Sequence, residues 1–494
     1  MVNRCMAAGT LAASLILTAS AWADASPDVK AVIEKSMKAM GADGVKSIVI
    51  SGEGWDGCVG QRFSPNSPNW RKFSNKNYVR SIDLDARGWR LQRVRGEGET
   101  PGRGGCGAGP IADTNQNVVT PAGPGTPWNN QMEYILLPEG FLRVAATKDT
   151  TMKTETVKGK KYTVLSFLGD AKAPVEGYID DQGYVDRVKT TIDNNVLGDI
   201  VWDAEYSGWK DFGGFKFPTR IEQYQGTPKY FDLTVSDVKT NVPVDLSVPE
   251  RGGRGRGRGG PGRGRGGPEG PISEDLGGGF WLITGGYGSV VANFKDYLVV
   301  IEGPQNDMRA EQIITEAKRL VPNKPIKYVI NTHAHFDHSG GLRAFVAEGA
   351  TIITHRINKP FYEKIFKDPH TLVPDKLSQM HPQPKLKIET MAEKRVLTDG
   401  AHEIDLYHVD GSTHNEGMIV AYLPKQKVLI EADEFNVAAT ANAPTPANIN
   451  PYHTNLLANI ERLHLDVDRI IPIHLPGDNR KVTLAELKTA AGKN

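Results

Sequence analysis

Residues 251–267 read Arg-Gly-Gly-Arg-Gly-Arg-Gly-Arg-Gly-Gly-Pro-Gly-Arg-Gly-Arg-Gly-Gly, without one apolar side chain. Such a segment cannot enter a core. It divides the 494-residue chain into two units that must each bury their own apolar residues. The length agrees, being more than one ordinary core accommodates. Residues 251–270 are expected to be a disordered Gly/Arg-rich linker. The competing reading is a nucleic-acid-binding tail, but no Phe or Tyr is interleaved to stack on bases.

The two units differ in pattern. Residues 24–250 are expected to form a mostly antiparallel β (α+β) domain. Asp28–Met40 has helical spacing, with Val29, Val32, Ile33, Met37 and Met40 near one face. Strand-like runs follow at Ser47–Ser51, Tyr162–Leu168, Gly177–Ile179, Val185–Thr191, Thr219–Gln225 and Tyr230–Val238. Residues 96–127 are rich in Gly and Pro and are expected to be a long loop. Residues 271–494 alternate strands and helices, with an apolar helical stripe at Ala310, Ile313, Ile314, Ala317 and Leu320.

The chemistry concentrates in the second unit. Ile326–Asn331 reads as a short buried strand, and His333-Ala334-His335-Phe336-Asp337-His338 follows it. Open α/β sheets place ligands at the carboxyl ends of their strands. Imidazole and carboxylate at this spacing can serve two metal ions from one turn. The donor set suits zinc, and also iron, manganese or cobalt. His414 lies in a polar turn between two strand-like runs, Asp433 follows Val428-Leu429-Ile430, and His474 ends Ile470-Ile471-Pro472-Ile473. All three stand where a strand stops. His355 ends the run Thr351–Thr354 and is a candidate substrate contact. His408 and His402 are expected to be structural or solvated, and His453 and His464 to lie at the surface. His370 and His381 carry no signal.

His333, His335, Asp337 and His338, followed by His414, Asp433 and His474, resemble the metallo-β-lactamase superfamily over roughly residues 275–494. The resemblance implies an αββα sandwich with metals at one edge of its two sheets. It implies that His333, His335 and His414 hold a first ion, that Asp337, His338 and His474 hold a second, and that Asp433 bridges both. Two divalent ions, zinc foremost, would then activate a shared hydroxide. Asp337 would orient it to cleave an ester, lactone or lactam. His at 335 disfavours the flavodiiron relatives, which place Glu there. Asp at 433 differs from the thiolate of the Cys-containing lactamases. Asn436 stands where lactonase relatives often carry Tyr. Asp180–Tyr184 and Gly213–Pro218 of the first unit are weakly similar to periplasmic lipoprotein-carrier-like domains, which implies a lipid or lipoprotein ligand there.

Arg4, the apolar run Ala12–Thr18 and Ala21-Trp22-Ala23 have the layout of a signal peptide, residues 1–23. The expected location is periplasmic or secreted. No stretch is long and apolar enough to span a membrane. Cleavage would lower Lys+Arg from 59 to 58 against 58 Asp+Glu. A neutral protein has no global affinity for nucleic acid, so the expected partner is a small-molecule substrate. Cys58 and Cys106 would remain, as a disulfide or as two free thiols. Two other functions fit the sequence: a mononuclear iron oxygenase of sulfur compounds, and a lipid- or lipoprotein-binding protein with a secondary metal domain.

Overall fold

Ser47–Cys58 and Lys229–Thr240 lie side by side, Ile48 opposite Thr240 and Ile50 opposite Val238, although nearly the whole amino-terminal unit separates them. They form the middle of an eleven-stranded antiparallel sheet. Arg71–Asp83, Gly88–Glu97 and Thr114–Thr120 extend it on one side. Lys216–Gln225, Gly198–Asp211, Val185–Asn194, Pro174–Ile179, Lys160–Leu168 and Thr151–Val157 extend it on the other. The structure, a computed structural model, describes residues 25–99, 102–107, 111–121, 123, 125–248, 271–441 and 448–493. The expected leader and linker lie outside the described residues.

Helix Pro27–Met40 covers one face of this sheet. Ser26 accepts a hydrogen bond from Val29 N, Pro27 opens the first turn, and Gly41 closes the helix at φ 67°. A Cβ at Gly41 would also overlap the Gly214 carbonyl. Val29, Ile33 and Met40 join Phe141 and Leu142 of helix Pro138–Ala145 in a core with Ile48, Ile50, Val188, Phe217 and Leu233 of the sheet. The apolar face that the lipoprotein-carrier likeness would offer to a lipid is thus covered by the chain's own helices, and this packing gives a lipid ligand no support. The expected loop 96–127 is corrected in part. Thr114–Thr120 is an edge strand paired with Gly88–Glu97. Its Asn and Gln side chains hide the apolar alternation that marks a strand.

In the carboxy-terminal unit, period-two alternation decides the layers. Val290 and Ala292 point into one core while Val291 points into another, and Val299 and Ile301 divide from Leu298 and Val300 in the same way. The first core is shared by two facing sheets. One runs Ser273–Gly277, Phe280–Ile283, Ser289–Asn293, Leu298–Ile301, Ile326–Ile330, Thr351–His355 and Ile388–Met391. The other runs Lys394–Thr398, Glu403–His408, Ile419–Leu423, Val428–Glu431, Arg469–Pro472 and Val482–Thr483. Outside the first sheet pack helices Asp307–Leu320, Leu342–Ala347 and Lys359–Ile365. Outside the second pack Pro451–Arg462 and Leu484–Ala490. This is the expected αββα sandwich. Among the described residues no helix is long and apolar enough to cross a membrane.

The units meet in a shared core. Val196, in the turn after Val185–Asn194, is buried in the cluster of Ala310, Ile313 and Leu342. Beside it, the Asp199 carboxylate accepts from Thr371 N at 2.7 Å and Leu372 N at 3.2 Å.

Candidate metal centre

The buried strand Ile326–Ile330 delivers the chain to Asn331, whose amide folds the next turn. Asn331 Nδ2 donates to the carbonyls of His333 at 2.7 Å and His338 at 3.1 Å. Its Oδ1 accepts from Tyr362 Oη at 2.6 Å and Thr354 Oγ1 at 3.2 Å. The turn closes on itself, and the short helix Phe336–Ser339 carries Asp337 and His338. His414 comes from the turn before Ile419–Leu423, and His474 from the end of Arg469–Pro472. Asp433 follows Val428–Glu431 in the left-handed region, at φ 64°. Glu431 Oε2 holds that loop by accepting from Glu434 N and Phe435 N, each at 3.0 Å.

All seven sequence-predicted ligands converge. His333, His335, His414 and Asp433 form one group, and Asp337, His338, Asp433 and His474 form another, each with donor atoms within 4.8 Å of one another. Asp433 belongs to both. Its Oδ2 lies 3.0 Å from His414 Nε2, 3.2 Å from His338 Nε2 and 3.6 Å from His333 Nε2. Its Oδ1 lies 2.8 Å from His474 Nε2. Asp337 Oδ2 faces His338 Nε2 at 3.5 Å and His474 Nε2 at 3.6 Å.

The donor set fits metal ions. His333 Nε2, His335 Nδ1 and His414 Nε2 are buried without a hydrogen-bond partner, and buried polar atoms are seldom left so. The opposite ring nitrogens of two ligands are engaged. His333 Nδ1 is 3.1 Å from Thr332 Oγ1, and His335 Nε2 is 2.8 Å from the Arg62 carbonyl. Partners of this kind orient ligand rings in metal sites. Burial pushes His333 down to about 3, and burial with the neighbouring imidazoles lowers His335, so both rings stay neutral as metal ligands must. Burial would depress His474 as well, but Asp433 and Asp337 raise it to about 9. Burial opposes ionisation of Asp433, and the His474, His338 and His414 rings overcome it, holding the carboxyl well below its usual range.

The remaining histidines fall outside both groups. His355 is buried and stacks on His408 with ring centroids 4.5 Å apart. His402 Nδ1 pairs with Asp399 at 2.9 Å. One expectation is corrected. His453 is buried rather than at the surface, and its Nε2 accepts from Asn436 N at 3.2 Å. His370 is buried too, with Nδ1 3.6 Å from Asp375. Sequence reasoning missed Asn331 and Tyr287, whose Oη lies 3.3 Å from Asp337 Oδ2. It also missed Gln61, whose Nε2 donates to Asp337 Oδ1 at 2.7 Å. The polar Asn331 and Thr332 directly after a buried strand were a usable signal. Gln61 had none, since it stands in no motif. Cys58 and Cys106 are joined as a disulfide, with Cα atoms 6.5 Å apart.

The strand ends of an αββα sandwich thus bring together two His/Asp groups that could each hold a metal ion, with one common carboxylate. Residues 296–474, within the carboxy-terminal unit, match the family described as the Metallo-beta-lactamase superfamily. The chain is 26% identical over 204 residues to the 2,4-dinitroanisole O-demethylase subunit alpha of Nocardioides sp. (strain JS1661), a match covering 41% of this chain and 57% of that protein. Among solved structures it is similar to a metallo-beta-lactamase from Pontibacter korlensis, at 16% identity and TM-score 0.35, and to one from Hirschia baltica, at 19% and 0.34. Each match covers 45% of this chain and 97% of the other.

Proposed function

We propose that the protein is an exported dinuclear zinc hydrolase that cleaves an ester, lactone or lactam. The observation that carries this reading is Asp433. One carboxylate reaches donors of both ligand groups, and a closed four-ligand structural site has no use for a second group. Two divalent ions bound there supply Lewis acidity and an activated water at neutral pH.

The chain's own residues define the rest. Asp337 Oδ2 and the Tyr287 hydroxyl face the second group from its half-exposed side, where His474 and Asp337 meet solvent. A substrate approaching there finds Asp337 as the carboxylate able to align a water. His333, His335 and His338 are closed off from solvent and form the floor of the site. The layout of residues 1–23 supports export, and a disulfide between Cys58 and Cys106 suits an oxidising compartment. Residues 251–270 act as a tether between the units.

The test is elemental analysis of the purified protein, combined with a turnover screen over lactams, lactones, carboxylic esters and phosphodiesters. An aryl methyl ether joins the panel because the Nocardioides relative is named an O-demethylase subunit. Two zinc ions per chain and zinc-dependent turnover are expected. One iron per chain, with oxygen consumption, would replace this reading with the oxygenase.

A further inference from the structure

Four consecutive residues of the amino-terminal unit bond to two of the four ligand-bearing loops of the carboxy-terminal unit. The Gly60 carbonyl accepts from Phe336 N at 3.2 Å. Gln61 Nε2 donates to Asp337 Oδ1 at 2.7 Å. The Arg62 carbonyl meets His335 Nε2 at 2.8 Å and accepts from Asn415 Nδ2 at 3.2 Å. The Phe63 carbonyl accepts from Glu416 N at 2.9 Å. Residues 335–337 and 415–416 flank the centre from two different sheets, and the segment 60–63 ties them together.

A second segment reinforces the first. Gly104 N donates to the Thr413 carbonyl at 2.9 Å, and Gly105 N to the Gln61 carbonyl at 3.1 Å. The Cys58–Cys106 disulfide joins the two segments covalently. Arg71 Nη1 gathers the carbonyls of Gly104, Gly105 and Gly107 at 2.7, 2.9 and 2.6 Å. The Tyr452 hydroxyl, from the carboxy-terminal unit, donates to Gly104 and Gly107, and its ring meets His414 edge-on at 5.1 Å. Gly105 comes so close that a Cβ there would overlap Gln61 Oε1 and lie 3.1 Å from His335 Cε1.

The atoms chosen distinguish this contact from mere docking. Gln61 takes Asp337 Oδ1 and leaves Oδ2 towards His338 and His474. A main-chain carbonyl can only accept. Arg62 therefore assigns the proton of His335 to Nε2 and turns the Nδ1 lone pair, which has no other partner, to the first group. Each ligand is held by the atom it does not use.

We infer that the amino-terminal unit completes the metal centre, with Gln61 as a positioning residue that sets Asp337 for the second ligand group and the Arg62 carbonyl fixing His335 for the first. The inference rests on the dinuclear reading for the count of ions. It does not rest on the identity of the substrate.

The test uses the full-length protein and Gln61→Met, which keeps the side-chain length and removes the donor, with Gln61→Ala as a second variant. Zinc affinity is read by competition with a chromophoric chelator, and the melting temperature with and without zinc by scanning calorimetry. The expected result is an affinity for the weaker ion reduced about ten- to a hundredfold, a smaller zinc-induced rise in melting temperature, and an unchanged melting temperature without zinc. A merely structural Gln61 would lower the zinc-free melting temperature and leave zinc affinity within about twofold; that result overturns the inference. Two ions bound equally well by the variants refute the inference and leave the dinuclear reading intact. One ion in the wild type, weakened in the variants, refutes the dinuclear reading and upholds the inference. One ion bound equally by both refutes both.

Discussion

His338 Nε2 lies 3.0 Å from His474 Nε2, and both face the Asp433 carboxylate. Two imidazole nitrogens hold that distance with one proton or one cation between them. Burial works against charge on either ring, but Asp337 and Asp433 overcome it, so the pair attracts a cation. Stripping the metal with a chelator is therefore expected to lower the melting temperature by about 5 °C or more, with recovery on adding zinc. Magnesium, which prefers oxygen ligands, is expected to restore little. Calorimetry with each ion makes the comparison, and an unchanged melting temperature after complete metal removal refutes the prediction.

Asp337→Asn is expected to reduce turnover at least about a hundredfold while the far-ultraviolet circular dichroism stays native. The amide keeps the volume and loses the charge that faces the second group. His381→Ala, at an exposed position, is the control expected to be neutral. His370 cannot serve, because it is buried against Asp375. Retention of more than about a tenth of wild-type turnover would remove Asp337 from the mechanism.

Glu139 is wholly buried in helix Pro138–Ala145, with no hydrogen-bond partner on either oxygen, and burial pushes its carboxyl up to about 8. The folded protein keeps a proton that the unfolded chain releases from its ordinary value of 4.5. Folded stability from this group is therefore lost as pH rises between these two values. Glu139→Met is expected to flatten that slope and to stabilise the protein near pH 8 by on the order of 1–3 kcal/mol. Denaturant titrations at pH 5 and pH 8 decide it. A variant that loses as much stability over this range as the wild type contradicts the assignment.

Val196→Asp places an unpaired carboxylate in the core shared by the two units. A loss of about 3 kcal/mol or more is expected, against a much smaller loss for Val196→Ala. Thermal melts of both variants test this. If the Asp variant melts with the Ala variant, the turn does not pack where it is described.

The ligands of the centre were legible because they stand just beyond short apolar runs, or, for His414, in the polar turn between two such runs. Chain order and strand ends carried that information, and the two sheets brought the pieces together. Burial of His370 and His453 was not legible, because it depends on Asp375 in one case and on Phe435 and Asn436 in the other. Nothing near Cys58 announces that Gln61 will meet Asp337 across 276 positions. The strand Thr114–Thr120 stayed hidden for another reason. Its polar side chains suit an edge, and only the pairing with Gly88–Glu97 makes it a strand.

Asp433 sits at φ 64°, where side chains other than those of Asn and Asp are rarely comfortable and Gly is the easy choice. Gly there would relax the backbone and erase the shared carboxylate. Asn would keep the shape and drop the charge. Glu would keep the charge and lose both the reach and the backbone preference. Mutational drift at this position is thus closed from two independent sides. A homologue that has exchanged this residue is expected to have changed its metal chemistry along with it, which makes position 433 the first place to look when sorting relatives of this chain into active and silent copies.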